Sequence, residues 1–318
     1  YNCTLGQIIQ WVSIASQSLV EVIAWELPNG SGTGFDPQED WAEQLPWLSA
    51  HYQRQGVGIF AQFSALRWRG GGLEGVAEAD PIQLTDLTGY ETQKETLMAN
   101  TQALLQGRPA LHVLLYGSRG AGKSSLVKAL ANHYSAEGLR LIEVTPEELG
   151  ALPEIFAQLR PRPQKFILFV DDLSFEDDDQ QFKALKRALE GTVVARPRNV
   201  VIYATSNRRH LVREFWDERP QPKDAGEIHA WDSTQEKLSF ADRFGLSLTF
   251  ESANQDTYLA IVHHLSRRAG LDIALEDLDF QAKQWATRHN GRSGRSARQF
   301  VDYLLAQSGR PISPSPHL

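Results

Sequence analysis

Nine consecutive residues carry the clearest chemistry in the chain: Gly117-Ser118-Arg119-Gly120-Ala121-Gly122-Lys123-Ser124-Ser125. They fit G-x-x-x-x-G-K-[ST], the phosphate-binding P-loop. Its glycines let backbone N–H groups turn toward phosphate oxygens where a Cβ would intrude. Lys123 is placed to reach the β- and γ-phosphates of a nucleotide, and the Ser124 hydroxyl to ligate Mg²⁺. Further along, the run Lys165-Phe166-Ile167-Leu168-Phe169-Val170 ends in two carboxylates, Asp171 and Asp172. This is the Walker B pattern. Asp171 would hold Mg²⁺ through water, and Asp172 would polarise or orient an attacking water. A third apolar run, Asn199 to Ser206, ends in Asn207, whose amide can hydrogen-bond that water or the γ-phosphate.

Chemistry of this kind needs strands that end at a common edge and a helix that starts there. The run His112-Val113-Leu114-Leu115-Tyr116 reads as a buried strand before the loop, and Ser125 to His133 as the helix after it. The helix N-terminus adds partial positive charge to the phosphate site. Residues 165–170 and 199–206 are apolar without alternation, as strands buried on both faces of a parallel sheet are. Ligands bind at the C-terminal ends of such strands.

The chain has 318 residues, 42% of them hydrophobic, with a net charge of −7. That is enough for two domains with real cores, and it lacks a strongly basic footprint for nucleic acid. Cys3 is the only cysteine, which rules out an internal disulfide and suits a reducing, cytoplasmic compartment. The first residue is Tyr1 rather than Met, as in a fragment or a processed chain. Residues 1–27 hold no charge before Glu21, but polar residues interrupt them. They read as a covered amphipathic helix and not as a membrane span.

A loop at 29–34 precedes a helix over 36–55, and aromatic residues follow up to Gly70-Gly71-Gly72. Residues 1–75 therefore read as a small, mostly helical N-terminal domain. An acidic linker at 74–81 leads to a helix over 92–105. After a strand at 138–144, Thr145 as N-cap and Pro146 as first helical residue predict a helix to about Leu159. A helix over 176–190 and a long irregular stretch over 208–235 come next. A short strand at 247–250 closes an α/β domain over 76–250. Periodic apolar residues then predict a small helical domain over 251–310, with a tail at 311–318.

The ordered set of P-loop, Asp171-Asp172, strand-end Asn207, Arg243 before a short last strand and a helical domain resembles the AAA+ ATPases. The double aspartate is similar to the initiator and helicase-loader branch that includes DnaA, DnaC and IstB-like proteins. Leu87-Thr88-Gly89-Tyr90-Glu91, Asp171-Asp172-Leu173-Ser174-Phe175-Glu176 and Tyr203 to Leu211 resemble a bacterial AAA+ family known as domain of unknown function 815, over about 80–310. The resemblance implies a parallel five-stranded sheet in the order 5-1-4-3-2 with a helical lid. It implies ATP or ADP as ligand, with Mg²⁺. Ile82 and Gly89 would flank the adenine, and Asn207 would be the sensor 1 residue. Arg243 would be an arginine finger entering a neighbouring subunit's site, so the resemblance implies a homo-oligomer. Arg295, with Arg298 second, would touch the γ-phosphate from the lid. Both arginines suit developing phosphoryl charge. Val144 to Leu149 lack the aromatic-glycine pair of peptide-threading relatives.

The function this supports is an ATPase whose nucleotide state controls assembly or remodelling of a macromolecular partner. A DNA-associated loader is the alternative, drawn from the branch and from Lys183, Lys186, Arg187, Arg196, Arg198, Arg208 and Arg209. Lys183, Lys186 and Arg187 share one face by helical spacing. A nucleotide-dependent scaffold with little turnover is a third reading, and a small-molecule kinase a distant fourth.

Overall fold

A computed structural model describes residues 41–173, 180–190, 196–207, 243–289 and 291–307. The chain divides into two compact units, residues 1–50 and 51–318. The apolar stretch before residue 28, the irregular stretch over 208–235 and the tail over 311–318 lie outside the described residues. Of the first unit, the described part is the opening of helix α1 (Trp41–Gln55).

The second unit is built on one sheet. Its strands are β1 (Ala65–Arg69), β2 (Gly72–Gly75), β3 (Val113–Gly117), β4 (Leu139–Glu143), β5 (Lys165–Val170), β6 (Val200–Ser206) and β7 (Leu246–Phe250). All pairs are parallel except the β1–β2 hairpin. The sheet has seven strands in the order β2-β1-β4-β5-β6-β3-β7, not the five implied by the resemblance. The order differs through the added hairpin, which pairs with the outer edge of β4. Residues 65–75 thus belong to the sheet and not to the helical N-terminal domain expected over 1–75. The local reason is alternation: Leu66 and Trp68 are buried, Arg67 and Arg69 are exposed, a period of two that only a strand can satisfy.

The helices of this unit are α2 (Ile59–Gln62), α3 (Glu91–Leu105), α4 (Lys123–His133), α5 (Leu152–Leu159), α6 (Gln180–Glu190), α7 (Gln255–Arg268), α8 (Leu275–Arg288) and α9 (Gly294–Gln307). Strand β5 shows how the layers form. Phe166, Leu168 and Val170 face a core shared with α5 and α6. Ile167 and Phe169 face a second core shared with α3 and α4. Both sides of the sheet are therefore covered, which is what a run without polar alternation requires. Helices α7 to α9 surround a separate cluster that includes Tyr258, Val262, Ala282 and Phe300.

The helix expected over 145–159 is split. Pro146–Ala151 is a 3₁₀ segment and α5 begins at Leu152. Pro153 has no N–H to continue an α-helical ladder through that point, and the Thr145 side chain makes no cap hydrogen bond. On β4, Arg140 lies buried among carbonyl oxygens. It donates to Phe60 O and Gln55 O at 2.7 Å, and to Ser135 O and Leu139 O at 2.9 Å. Gln164 donates to the Tyr52 and Gln53 carbonyls. These bonds satisfy the end of α1, whose last carbonyls have no partner within the helix.

Candidate nucleotide-binding site

Strand β3 delivers the P-loop and α4 leaves it, with Lys123 as the first helical residue. Gly117 has φ 126°, and a Cβ there would lie 2.1 Å from Phe250 O. Only glycine lets β3 pass β7 this closely while Ser118 N donates to the same Phe250 oxygen at 2.8 Å. Gly120 has φ 72° and packs against Ser293 and Arg295 at the start of α9. There Arg295 N donates to Gly120 O at 3.3 Å. The lid thus meets the middle of the phosphate loop.

Lys123 is buried, and its ammonium donates to Gly117 O at 2.9 Å, Ser118 O at 2.8 Å and Asn207 Oδ1 at 3.0 Å. Burial pulls its pKa down to about 8, against the attraction of Asp172 and Asp171, and Arg119 adds to the lowering. At neutral pH it keeps its charge. Asn207 is held at both ends, because its Nδ2 donates to Asp172 Oδ1 at 2.5 Å. Ser124 Oγ donates to Asp171 Oδ1 at 2.6 Å. The structure therefore brings together Lys123, Ser124, Asp171, Asp172 and Asn207 from two strand ends and one helix start. A hydroxyl and a carboxylate side by side are hard oxygen donors of the kind Mg²⁺ takes.

Asp172 adopts φ 54°, a left-handed conformation that aspartate tolerates better than most residues. Thr205 supports it. Its Oγ1 accepts from Asp172 N at 2.9 Å and donates to Asp171 Oδ1 at 2.5 Å. The Thr205 carbonyl accepts from Leu173 N at 2.7 Å. Reading the sequence gave Thr205 no role. The available signal was a threonine inside an otherwise apolar buried strand, two residues before Asn207.

Ile82 and Gly89 lie at opposite ends of a strap that runs beside α4 and the lid. Ile82 O accepts from Asn132 Nδ2 at 2.8 Å, and Gly89 packs near Thr257 of α7. Tyr90 packs on Phe250, ring centroids 5.1 Å apart, and its hydroxyl donates to Glu251 O at 2.5 Å. Arg298 is exposed, one turn along α9 from Arg295. Arg243 is not brought to this site. Leu246 pairs with Val113 and Phe250 with Gly117, so about 13 Å of strand separates those levels. Arg243 lies three residues further back, at the opposite end of the sheet.

A phosphate loop at the end of a strand paired in parallel on both sides, flanked by a Walker B aspartate pair and touched at Gly120 by a helical cluster, defines a P-loop protein of the AAA+ type. The chain belongs to the family described as "Protein of unknown function (DUF815)", whose sequence profile matches residues 61–308. It is 28% identical over 167 residues to the replication factor C large subunit of Methanococcus vannielii, covering 49% of this chain and 32% of that protein. It is 33% identical over 98 residues to the Holliday junction branch migration complex subunit RuvB of Acholeplasma laidlawii, covering 29% and 27%. The matches thus span a third or less of those relatives' length. The structure of the RuvB Holliday junction branch migration motor of Thermotoga maritima aligns with a TM-score of 0.47 at 16% identity, over 73% of this chain and 68% of that one. Among the described residues, no helix is long and apolar enough to cross a membrane.

Proposed function

We propose that the chain is an ATPase that binds ATP with Mg²⁺ at residues 117–125 and hydrolyses it at a site shared between two copies. The ATP state would then control assembly or remodelling of a macromolecular partner. The observation that carries this reading is the continuous run Lys123–Asn207–Asp172 beside the Ser124–Asp171 pair.

Lys123 and the loop amides hold the β- and γ-phosphates. Ser124 and Asp171 would hold Mg²⁺, which would offset phosphate charge. Asp172 orients the attacking water and accepts its proton, while Asn207 holds the water or a γ-oxygen. The water oxygen bonds to the γ-phosphorus and the bond to the bridging oxygen breaks, leaving ADP and phosphate. Ile82 and Gly89 flank the adenine. Arg295 approaches the γ-phosphate from the lid, with Arg298 as the second arginine of that segment. Arg243 acts on a neighbour's site as an arginine finger; its distance from its own P-loop supports action between copies.

The names of the matched relatives, a replication factor subunit and a branch migration subunit, favour a DNA-linked partner as the second reading. Lys183 and Arg187 on α6 are exposed. Arg196 adds little to such a face, because its guanidinium turns in to donate to Ala110 O at 2.7 Å.

The test is ATP turnover per subunit against protein concentration, with Lys123→Ala and Arg243→Ala beside the wild type. Specific activity should rise with concentration. Arg243→Ala should lose turnover and keep ATP binding, while Lys123→Ala should lose binding. Normal binding without turnover at any concentration would replace the ATPase with a nucleotide-gated scaffold.

A further inference from the structure

Among the side chains that hold the strap over 80–90 in place, Asn132, Asp86 and Arg268 join it to the P-loop helix and to the lid. At its start, the Asn132 amide from the last turn of α4 donates to Asp80 O and Ile82 O, each at 2.8 Å. In its middle, Asp86 divides its carboxylate between two tasks. Oδ2 accepts from Gln83 N at 2.9 Å, which closes the turn over Leu84–Asp86. Oδ1 is ion-paired with Arg268 at the end of lid helix α7, and the Asp86 side chain is only 18% exposed. At the end of the strap, Gly89 packs near Thr257. Thr257 and Arg268 are eleven residues apart, three helical turns, so one face of α7 lies along the strap.

The sheet order fixes which half of a nucleotide would meet this strap. Asp171, Asp172 and Asn207 come from β5 and β6, on one flank of β3, and mark the γ-phosphate side. The other flank of β3 is β7, where Tyr90 packs on Phe250 and Ser118 Oγ meets Ser252 Oγ at 2.7 Å. A nucleoside leaving the phosphate loop away from the aspartates enters the space bounded by strap, β7 and lid.

We propose that Asn132, Asp86 and Arg268 form a latch that positions the nucleoside half of bound ATP, with Asn132 fixing the strap to the P-loop helix and the Asp86–Arg268 pair fixing it to the lid. This rests on the reading of residues 117–125 as an ATP site. None of the three belongs to the phosphate loop. They are positioning residues, and they act only on ligands that carry a base and a sugar.

The test is equilibrium binding of ATP and of inorganic tripolyphosphate to the full chain and to Asn132→Ala, Arg268→Ala and Arg268→Lys, with thermal unfolding as a folding control. Arg268→Ala and Asn132→Ala should weaken ATP by about three- to tenfold, the ordinary size for one charge-assisted or partly buried polar contact. Tripolyphosphate affinity should stay within about twofold, since no phosphate contact is touched. Arg268→Lys should recover part of the loss. The Arg268 side chain is 42% exposed, so its variant keeps the test open if Asn132→Ala fails to fold. Parallel weakening of both ligands, or unchanged ATP affinity in Arg268→Ala, overturns the latch. A wild-type chain that binds tripolyphosphate and ATP equally well also overturns it, while leaving the phosphate loop intact. A wild-type chain that binds neither overturns the ATP reading itself, and the latch with it.

Discussion

At the scale of single residues, two of the buried basic groups, Lys123 and His112, serve opposite purposes. Lys123 stays charged because two carboxylates and three oxygen acceptors surround it. His112, just before β3, must stay neutral: its Nδ1 accepts from Ile202 N at 2.9 Å, so that nitrogen carries no proton. Burial, and then the Arg196 guanidinium near Nε2, push its pKa down to about 3 from 6.5. The folded state therefore binds fewer protons than the unfolded one between those values. The contribution of the neutral ring is fully present above pH 6.5 and is lost as pH falls toward 3. Calorimetric melting temperatures should decline through that window in the wild type. His112→Gln, which keeps an acceptor but cannot titrate, should start lower at pH 7 and fall less steeply; an unchanged slope would separate His112 from the acid sensitivity. No local pattern announces this role. His112 reads only as the first residue of a buried strand, and its partners, Ile202 and Arg196, come from far along the chain.

At the scale of elements, the fit between β3 and β7 decides whether the phosphate loop exists. Gly117 combines φ 126° with a carbonyl oxygen 2.1 Å from any added Cβ, whereas Gly122 has φ 90° and open space around it. Gly117→Ala should therefore cost about 2–4 kcal/mol of unfolding free energy, overpacking added to backbone strain. Gly122→Ala should cost about 1–2 kcal/mol from the left-handed conformation alone. Denaturant titration of both variants checks the ranking, and equal losses would refute the steric account. Strands β3, β5 and β6 were legible because burial on both faces leaves an uninterrupted apolar run. The β1–β2 hairpin was not legible, although its signal was present. The alternation over 65–69 and the turn at Gly70-Gly71 sat behind aromatic residues that suggested a helical domain. The strap was legible only as two resemblance positions, because Asn132, Arg268 and Thr257 are contacts that no local pattern announces. The proximity of Lys123, Ser124, Asp171, Asp172 and Asn207 was legible, since each lies at the end of a readable strand or at the start of a readable helix. Thr205 escaped because its task is to hold the others.

At the scale of the whole molecule, the proposed site is incomplete in one chain, because Arg243 lies at the end of the sheet opposite the P-loop. If Arg243 acts between copies as proposed, the arrangement is head-to-tail, with the Arg243 end of one copy facing the phosphate loop of the next. That geometry is open to a mixing experiment which single variants cannot imitate. Lys123→Ala subunits lose their own nucleotide but still present Arg243. Arg243→Ala subunits bind nucleotide but present no finger. Each alone should be inactive. In an equal mixture, a working site forms wherever an Arg243→Ala subunit binds ATP and its neighbour is the Lys123→Ala form. For a heterologous interface assembled at random that is about a quarter of all sites, so turnover should recover to about a quarter of the wild-type value. Recovery should grow with total protein concentration, because it depends on encounter between copies. A mixture as inactive as its parts would mean that Arg243 and Lys123 never serve the same nucleotide, and that the chain either completes its site internally or takes the missing group from a different protein.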